Sequence, residues 1–172
     1  MLQRLIPDRI FPTVYDITPK LVKEYQKTAV IFDIDNTLTA DSDREPDEKL
    51  AEYLSSFSKK GIDVALVSNN NAERVEIFNR SLGLFATPKA GKPKKSALAP
   101  ALKYFDRPNS QVLFVGDQIL TDVMAARRHG LSAFLVKPIR LYENPFFYLK
   151  RLLERPFIFA YYRREKKHKS SR

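Results

Sequence analysis

The sequence predicts an α/β fold, in which a parallel sheet of about five strands is flanked by helices in a Rossmann-like arrangement. Two observations support this prediction. Short apolar segments alternate with segments of helical character five times, which is the pattern of repeated strand–helix–strand units. Polar residues follow the apolar segments where each one ends, at the edge where such sheets bind their ligands.

The predicted strands are short, rich in Val, Ile, Leu and Phe, and each is followed by glycine or polar residues. They cover residues 28–32, 63–67, 84–86, 111–115 and 132–136. Continuous apolar runs of this length are typical of strands buried on both faces of a parallel sheet. Residues 1–27 precede them as a lead-in, which Pro7, Pro12 and Pro19 divide into short pieces, with one short helix after Pro19.

Helices are predicted between the strands, over residues 46–60, 72–81, 94–105 and 121–129. The first is the clearest, since its apolar residues recur at helical spacing: Leu50, Tyr53, Leu54 and Phe57. We expect Pro100 to kink the third helix. No connection is long enough for a separate cap domain, so we expect the site to stay open beside a solvated flap at residues 41–45.

Basic and aromatic residues are concentrated at the end of the chain. Residues 144–172 contain nine basic and two acidic residues, a net charge of +7, whereas residues 1–143 carry +3. Seven of the twenty aromatic residues lie there too. We therefore predict a domain with its lead-in over 1–143 and a basic aromatic tail over 144–172. Part of the tail, residues 144–154, is expected to form a helix.

The composition of the tail fits an anionic partner. Aromatic side chains at headgroup depth and cations on anionic lipid predict peripheral membrane contact. Nucleic acid is disfavoured, because the chain has no recognised nucleic-acid-binding motif. The alternative is that the tail helix packs on the domain or on a second copy of the chain.

Composition also limits the class of protein. The chain has no cysteine, which excludes disulfides and thiolate metal sites. No apolar run approaches the ~20 residues of a membrane-spanning helix. Charges at Arg4, Asp8 and Arg9 interrupt the N-terminal segment, so no signal peptide is expected. These features predict a cytoplasmic protein, with peripheral contact on the inner face of the membrane.

Two carboxylates close the first predicted strand. Asp33 and Asp35 follow its apolar residues directly, and like charges at a buried strand end repel one another unless a cation gathers there. Oxygen ligands favour a hard divalent cation, Mg²⁺ above all. Taken alone, the pair has a second interpretation as a turn.

Three further polar residues follow later strands in the same way. Ser68 follows the second strand, Lys92 the third and Asp117 the fourth. Each has an ordinary alternative: a helix cap for Ser68, a solvated lysine cluster for Lys92 and a strand-to-helix turn for Asp117. Their occurrence in order, each after its own strand, favours a shared site instead.

Together these segments resemble the four motifs of the haloacid dehalogenase-like (HAD) phosphatases of subclass IIIA. More narrowly, residues 5–140 resemble the YqeG-type family, which is similar to mitochondrial and plastid phosphatidylglycerophosphate phosphatases. The motifs read Asp33-Ile34-Asp35-Asn36-Thr37, Ser68, Lys92-Pro93 and Gly116-Asp117-Gln118-Ile119-Leu120-Thr121-Asp122. The resemblance implies the HAD fold without a cap domain and a Mg²⁺-dependent phosphatase.

The chemistry of phosphomonoester hydrolysis assigns the catalytic roles. Asp33 is the predicted nucleophile, which would form an aspartyl-phosphate. Asp35 would protonate the leaving alcohol and then deprotonate water. Lys92 would stabilise the developing negative charge and pair with Asp33.

Phosphate and metal binding are assigned to the remaining motif residues. The Ser68 hydroxyl and the amides of Asn69 and Asn70 are predicted to donate hydrogen bonds to phosphoryl oxygens, and Lys92 to supply a positive charge. The predicted metal ligands are Asp33, Asp35, Asp117 and Asp122. For Asp122 two roles stay open, ligation through water or orientation of Asp117. The resemblance implies that Asp35 binds the metal through its backbone carbonyl.

We therefore expect a phosphatase that acts on a membrane phospholipid phosphate, phosphatidylglycerophosphate in particular. A second hypothesis keeps the enzyme and changes the substrate to a soluble or macromolecular phosphomonoester. A third is a non-catalytic scaffold associated with membrane or RNA. The retention of all four motifs disfavours this last hypothesis.

Overall fold

The computed structural model of the protein describes residues 5–40, 42–140 and 145–170, with side chains described for residues 148–167 of the last segment. One six-stranded sheet forms its centre, and every strand pair is parallel. The strands are β1 (Arg9–Phe11), β2 (Ala29–Phe32), β3 (Asp63–Val67), β4 (Phe85–Thr87), β5 (Val112–Gly116) and β6 (Ser132–Val136). Their order across the sheet is β1-β6-β5-β2-β3-β4, so the Rossmann-like α/β prediction is confirmed.

Helices cover both faces of the sheet. They are α1 (Pro19–Glu24), α2 (Glu48–Ser58), α3 (Ala72–Asn79), α4 (Ala99–Phe105), α5 (Met124–Arg128) and α6 (Pro145–Ser170). Side chains alternate along each strand, so in β2 Val30 and Phe32 join the core beneath α1–α3, whereas Ala29 and Ile31 join the core beneath α4 and α5. The predicted inner face of α2 is confirmed, because Leu50, Leu54 and Phe57 are buried.

The sheet has six strands rather than about five. The additional strand, β1, comes from the lead-in and pairs with β6 at the edge of the sheet. It is only three residues long and lies between two prolines, so it carries no periodic signal. The strands β3 and β6 have the predicted bounds, and the bounds of the other predicted strands differ by one residue at each shifted end.

Two predicted helices differ in their geometry. Residues Lys95–Leu98 form a 3₁₀ turn before α4, so Pro100 lies in the first turn of α4, where its missing N–H has no partner to lose, and it does not kink the helix. A π-helical turn over Ile119–Val123 precedes α5, whereas a single helix over 121–129 was predicted.

The C-terminal helix α6 extends well beyond the predicted residues 144–154. It runs through Pro156 to Ser170, and Asn144 lies outside the described residues. One face is docked on the domain: Glu154 and Tyr161 are buried, and Phe157 and Ile158 pack on the core beneath α4 and α5. Packing on the domain, one of the two alternatives for this segment, therefore occurs.

The opposite face of α6 exposes six large apolar or aromatic side chains, each at least half exposed. We call it the exposed apolar face, and it consists of Tyr148, Leu149, Leu152, Leu153, Phe159 and Tyr162. Phe146 and Phe147, which the sequence places in the same aromatic group, lie outside the described side chains. Within the described part of the chain, no helix combines the length and the apolar character that crossing a bilayer requires.

Candidate active site

The functional candidates gather at the carboxyl edge of the sheet because all strands run in the same direction. Asp33 follows β2, Ser68 follows β3 and Asp117 follows β5, while Lys92 lies in the loop after β4. The neighbouring order β5-β2-β3 brings the first three together. Structure thus brings together side chains that lie up to 84 positions apart in sequence.

Three buried aspartates form what we call the carboxylate cluster: Asp33, Asp117 and Asp122. Each offers a carboxylate oxygen, and these oxygens all lie within 4.8 Å of one another. The Lys92 ammonium donates to Asp33 Oδ1 at 2.5 Å and lies 2.8 Å from Asp122 Oδ1. A second cation, Arg151 of α6, pairs with Asp117. With all five groups ionised, three negative charges face two positive ones.

Burial and the neighbouring charges change the pKa values of the carboxylate cluster and of Lys92. Burial raises the pKa of Asp33 to about 7, although the Lys92 ammonium opposes the shift. Burial, followed by the charges of Asp122 and Asp33, raises the pKa of Asp117 to about 8. For Lys92, burial alone would lower the pKa, but the carboxylates of Asp122 and Asp33 raise it above its ordinary value, so the ammonium stays charged.

Neighbouring groups fix the cluster in place. The Thr37 hydroxyl donates to Asp33 Oδ2 at 2.9 Å and so supports the loop that follows β2. The Asn69 carboxamide makes two hydrogen bonds with the backbone of Lys92, at 2.7 and 3.0 Å. Asp122 lies against Gly116 so closely that a Cβ atom at this glycine would be 2.5 Å from Asp122 Oδ2. Only glycine leaves room for this approach.

Asp35 belongs to a separate set of side chains, which we call the Asp35 group: Asp35, Ser68, Asn70 and Arg74. The Ser68 hydroxyl donates to Asp35 Oδ2 at 3.0 Å and accepts from the backbone N–H of Asn70 at 2.9 Å. The Asn70 carboxamide lies 3.4 Å from the same Asp35 oxygen. Asp35 Oδ1 has no hydrogen-bond partner among the described residues, although Arg74 Nη2 is 3.3 Å away.

Metal binding by Asp35 and phosphate binding by Ser68 and Asn69 stay predictions. Asp35 directs its side chain to the Asp35 group, so its predicted contact with metal depends on its backbone carbonyl. The Ser68 hydroxyl donates to Asp35, and the Asn69 carboxamide donates to the Lys92 carbonyl. These contacts are within the protein, so they do not bear on the predicted binding of phosphate by Ser68 or by the Asn69 amide.

Sequence reasoning missed two arginines at the site. Arg74 lies on α3, is buried, and holds the flap through the carbonyls of Asp43 and Arg44 at 2.8 and 2.9 Å. Arg151 lies on α6 in the segment that was interpreted as a tail. The position of Arg74 in the first turn of the helix after Ser68 could have indicated a place beside the site. No local pattern indicates Arg151, because its partner Asp117 is 34 residues away in the sequence.

The carboxylate cluster has the donor chemistry of a site for a hard divalent cation. Its ligand atoms are carboxylate oxygens, they converge, and their negative charge exceeds that of the two cations that face them. Burial is the main reason that the pKa values of Asp33 and Asp117 are raised, and a bound cation would favour the ionised form of both carboxyl groups. The residues present therefore fit Mg²⁺.

An open cleft of about 860 Å³ adjoins the site. Its walls come from the lead-in, the loop after Asp35, the flap and the segment after β6. They include the apolar side chains Val14, Tyr15, Leu38, Leu50 and Ile139 and the basic side chains Lys49 and Lys137. The flap residues 42–45 beside it are exposed as predicted, and Asp41 lies outside the described residues.

Comparison with known proteins identifies a family. The family model described as haloacid dehalogenase-like hydrolase, a hydrolase, matches residues 40–130, which include Ser68, Lys92 and the Asp117–Asp122 segment. The chain is 32% identical over 155 residues to the "Probable phosphatase YqeG" of Bacillus subtilis (strain 168), and the match covers 90% of each chain.

A more distant relative and a solved structure extend this comparison. The chain is 24% identical over 150 residues to the chloroplastic "Phosphatidylglycerophosphate phosphatase 1" of Chlamydomonas reinhardtii, covering 82% of this chain and 56% of that protein. NagD from E. coli K-12 superposes with a TM-score of 0.55 at 14% identity, over 70% of this chain and 94% of the NagD chain. At that identity, the structural likeness concerns the fold.

Proposed function

Because this chain belongs to the haloacid dehalogenase-like hydrolase family and is a phosphatase, we propose that it hydrolyses a phosphomonoester through an aspartyl-phosphate on Asp33. We further propose that the physiological cation is Mg²⁺ and that the substrate is a membrane phospholipid phosphate, phosphatidylglycerophosphate in particular. One observation carries the catalytic proposal: a buried, lysine-paired aspartate lies beside two further buried carboxylates at the carboxyl edge of the sheet.

In the first step, a carboxylate oxygen of Asp33 bonds to phosphorus while the bond from phosphorus to the substrate alcohol oxygen breaks. The Thr37 hydroxyl and the Lys92 ammonium hold the two Asp33 oxygens, so the nucleophile enters the reaction already oriented. Lys92 stays charged and lies where negative charge develops. Mg²⁺ bound by the carboxylate cluster would offset the repulsion between Asp33 and the phosphoryl oxygens.

Asp35 is suited to the proton transfers of both steps. Its Oδ2 is held by Ser68, whereas its Oδ1 has no hydrogen bond among the described residues and only a longer ion pair with Arg74 at 3.3 Å, so we assign the transferred proton to Oδ1. In the first step Asp35 gives this proton to the leaving alcohol. In the second it takes a proton from water, which attacks phosphorus, releases inorganic phosphate and restores Asp33.

Three features support a lipid substrate. The cleft beside the site is open and partly apolar, so it suits a large or surface-bound ester better than a small enclosed metabolite. The exposed apolar face of α6 carries exposed Arg163 and Lys166 on the same side, a composition that suits an anionic membrane surface. The relative from Chlamydomonas is named for phosphatidylglycerophosphate. We accordingly propose a cytoplasmic protein in peripheral contact with the inner face of the membrane.

Two other functions follow from the same site. A soluble or macromolecular phosphomonoester would use the same chemistry without the exposed apolar face. A non-catalytic scaffold is disfavoured, because Lys92 keeps its ion pairs with Asp33 and Asp122. A protein that had lost catalysis would not need to retain these pairs.

A vesicle assay tests the proposal. The purified chain should release phosphate from phosphatidylglycerophosphate in anionic vesicles with Mg²⁺ and not with EDTA, and Asp33→Asn should abolish this release. If wild type and Asp33→Asn are equally inactive on every phosphomonoester tried, the scaffold is the better account.

The exposed apolar face is tested by the double variant Leu152→Gln and Phe159→Gln. Each apolar side chain gains about 1.5–3 kcal/mol when it is fully buried, so we expect turnover on vesicles to fall about 10-fold or more. Turnover of a soluble ester should be unchanged, because neither side chain contacts the site. The double variant Leu152→Met and Phe159→Leu, which keeps the face apolar, is the matched control. An equal loss on both substrates would argue against membrane contact through this face.

A further inference from the structure

Arg151 connects the C-terminal helix to the carboxylate cluster. Its Nη2 donates to Asp117 Oδ2, and its Nη1 donates to the backbone carbonyl of Asp117 at 2.5 Å. The Asp117 side chain is fully buried, whereas that of Arg151 is 25% exposed, so the arginine closes the cluster on the side of α6. Lys92 serves the other two members, Asp33 and Asp122.

Glu154, one helical turn further along α6, reinforces this connection. Its Oε2 accepts from Arg151 Nη1 at 3.1 Å, and its Oε1 accepts from the backbone N–H of Leu120 at 3.0 Å. Glu154 is only 1% exposed, and a buried carboxylate with two such partners is held firmly. The pair Arg151 and Glu154 therefore holds residues 117 and 120 of the segment that follows β5.

The contacts of Arg151 fix the orientation of the Asp117 carboxylate, because its two oxygens have different partners. Oδ2 faces Arg151, while Oδ1 lies 3.5 Å from the Thr37 hydroxyl, which also donates to Asp33. Without the guanidinium, the Asp117 carboxylate would be free to rotate and to lose this orientation. Ligand orientation of this kind usually affects metal affinity about 10–100-fold.

We infer that Arg151 is a positioning residue, which directs Asp117 Oδ1 toward the cation site and makes α6 part of the active site. This inference rests on the proposed function only in requiring that the carboxylate cluster binds a divalent cation. A different role is conceivable, in which Arg151 substitutes for the metal and must leave when it binds. The structure favours positioning, because two contacts of Arg151, with the Asp117 carbonyl and with Glu154, do not involve the Asp117 carboxylate.

The test measures Mg²⁺ affinity, which needs no turnover. Mg²⁺ dissociation constants would be obtained from competition with Mn²⁺, followed by electron paramagnetic resonance. Arg151→Met, which removes the donors and keeps an extended side chain, should raise the dissociation constant about 10–100-fold. Arg151→Lys, which keeps the charge and loses the two-pronged donor geometry, should restore affinity only in part. Arg155→Met, an exposed arginine on the same helix, is the matched control and should leave affinity unchanged.

The outcomes separate the two roles of Arg151. Tighter Mg²⁺ binding by Arg151→Met would show that arginine and metal compete, and would overturn the inference. Wild-type affinity in Arg151→Lys would also overturn it, because charge alone would then suffice. Circular dichroism in EDTA establishes that each variant is folded, and should Arg151→Met fail to fold, the conservative Arg151→Lys variant still decides.

Failure of the phosphatase proposal would look different. Wild type and Asp33→Asn would then be equally inactive on every ester, whereas the Mg²⁺ affinities of the Arg151 variants would still report on positioning. The vesicle assay needs point variants for a structural reason. Deleting residues 144–172 would remove Arg151 and Glu154 together with the exposed apolar face, so it would damage the site and the surface at once.

Discussion

The carboxylate cluster and the Asp35 group stand at adjacent strand ends, yet their charges are balanced differently. Three carboxylates of the cluster face two cations, Lys92 and Arg151. In the Asp35 group, one carboxylate has one cation, Arg74, and neutral donors from Ser68 and Asn70. The cluster lacks one positive charge, which a metal would supply, whereas the Asp35 group is neutral overall, with Arg74 facing the oxygen that has no hydrogen bond.

This difference teaches how two aspartates that are two residues apart acquire separate roles. Asp33 is held at both oxygens and buried among like charges. Asp35 lies past the end of β2, where the chain turns, and its side chain contacts Ser68, which follows β3, and Arg74 of α3. Role follows from the neighbours of each carboxyl group rather than from its residue type.

Among the variants that compare the two groups, the largest effect is expected from Asp35→Asn, which tests the proton role of the Asp35 group. General acid–base catalysis contributes about 10²–10⁴-fold, so turnover of an alkyl phosphate should fall by that factor. With p-nitrophenyl phosphate the leaving group needs no proton, so the first step should survive and the second should be slow. Stopped-flow absorbance should then show a burst of nitrophenolate, equivalent to the enzyme present.

The control for this prediction is Asp106→Asn, at an exposed aspartate in a left-handed conformation that asparagine also adopts readily. It should leave both steps unchanged. Equal losses on the two esters in Asp35→Asn, with no burst, would contradict a general acid at this position.

A smaller effect is expected from Gly116→Ala, which perturbs the carboxylate cluster. The added Cβ would lie 2.5 Å from Asp122 Oδ2 and 2.6 Å from Asp122 Cβ, so Asp122 must move away from residue 116 and its ion pair with Lys92 is disturbed. We expect a rise in the Mg²⁺ dissociation constant of about 10-fold or more, since residues behind the ligands usually matter to that extent.

A double variant tests whether displacement of Asp122 causes the loss of Mg²⁺ affinity in Gly116→Ala. In an Asp122→Gly background the carboxylate and the Cβ atom that the added methyl group would meet are both gone, so Gly116→Ala should add little further loss. If Gly116→Ala costs the same in both backgrounds, a contact other than Asp122 is responsible.

The smallest effect is a pH dependence of the metal-free protein. The pKa values of Asp33 and Asp117, about 7 and about 8, both exceed the ordinary value of 3.8, so above pH 4 the folded state binds more protons than the unfolded state. Stability without metal should therefore fall as the pH rises from about 4 to 8. Mg²⁺ competes with these protons, so it should raise the melting temperature more at pH 8.5 than at pH 6.

Differential scanning calorimetry in EDTA and in Mg²⁺ measures both trends. The variant Asp33→Asn removes one of the two titrating groups and should flatten the dependence without metal. A Mg²⁺ stabilisation that is equal at both pH values would contradict ionisation of the cluster on metal binding.

The local sequence contained most of the fold and the motif residues. Apolar runs ending in Asp33, Ser68 and Asp117 identified three neighbouring strands, because burial on both faces demands an apolar run and parallel strands share one functional edge. The edge strand β1 was missed, since three residues between prolines have no periodicity to detect. The π-helical turn after Asp117 was missed because no feature of the sequence distinguishes its bond from Val123 N–H to the Gln118 carbonyl from the bonding of an α-helical turn.

By itself, the sequence determined which side chains could do chemistry and in what order along the chain they stand, because each follows a strand that its own residues specify. Only the tertiary structure decided how these charges are paired. Lys92 joins Asp33 to Asp122, and Arg151 reaches Asp117 from a helix that appeared to be a separate tail. The pairing of charged side chains depends on the distances between elements that are remote in sequence. These distances are set by packing of the elements, and a local sequence pattern does not indicate them.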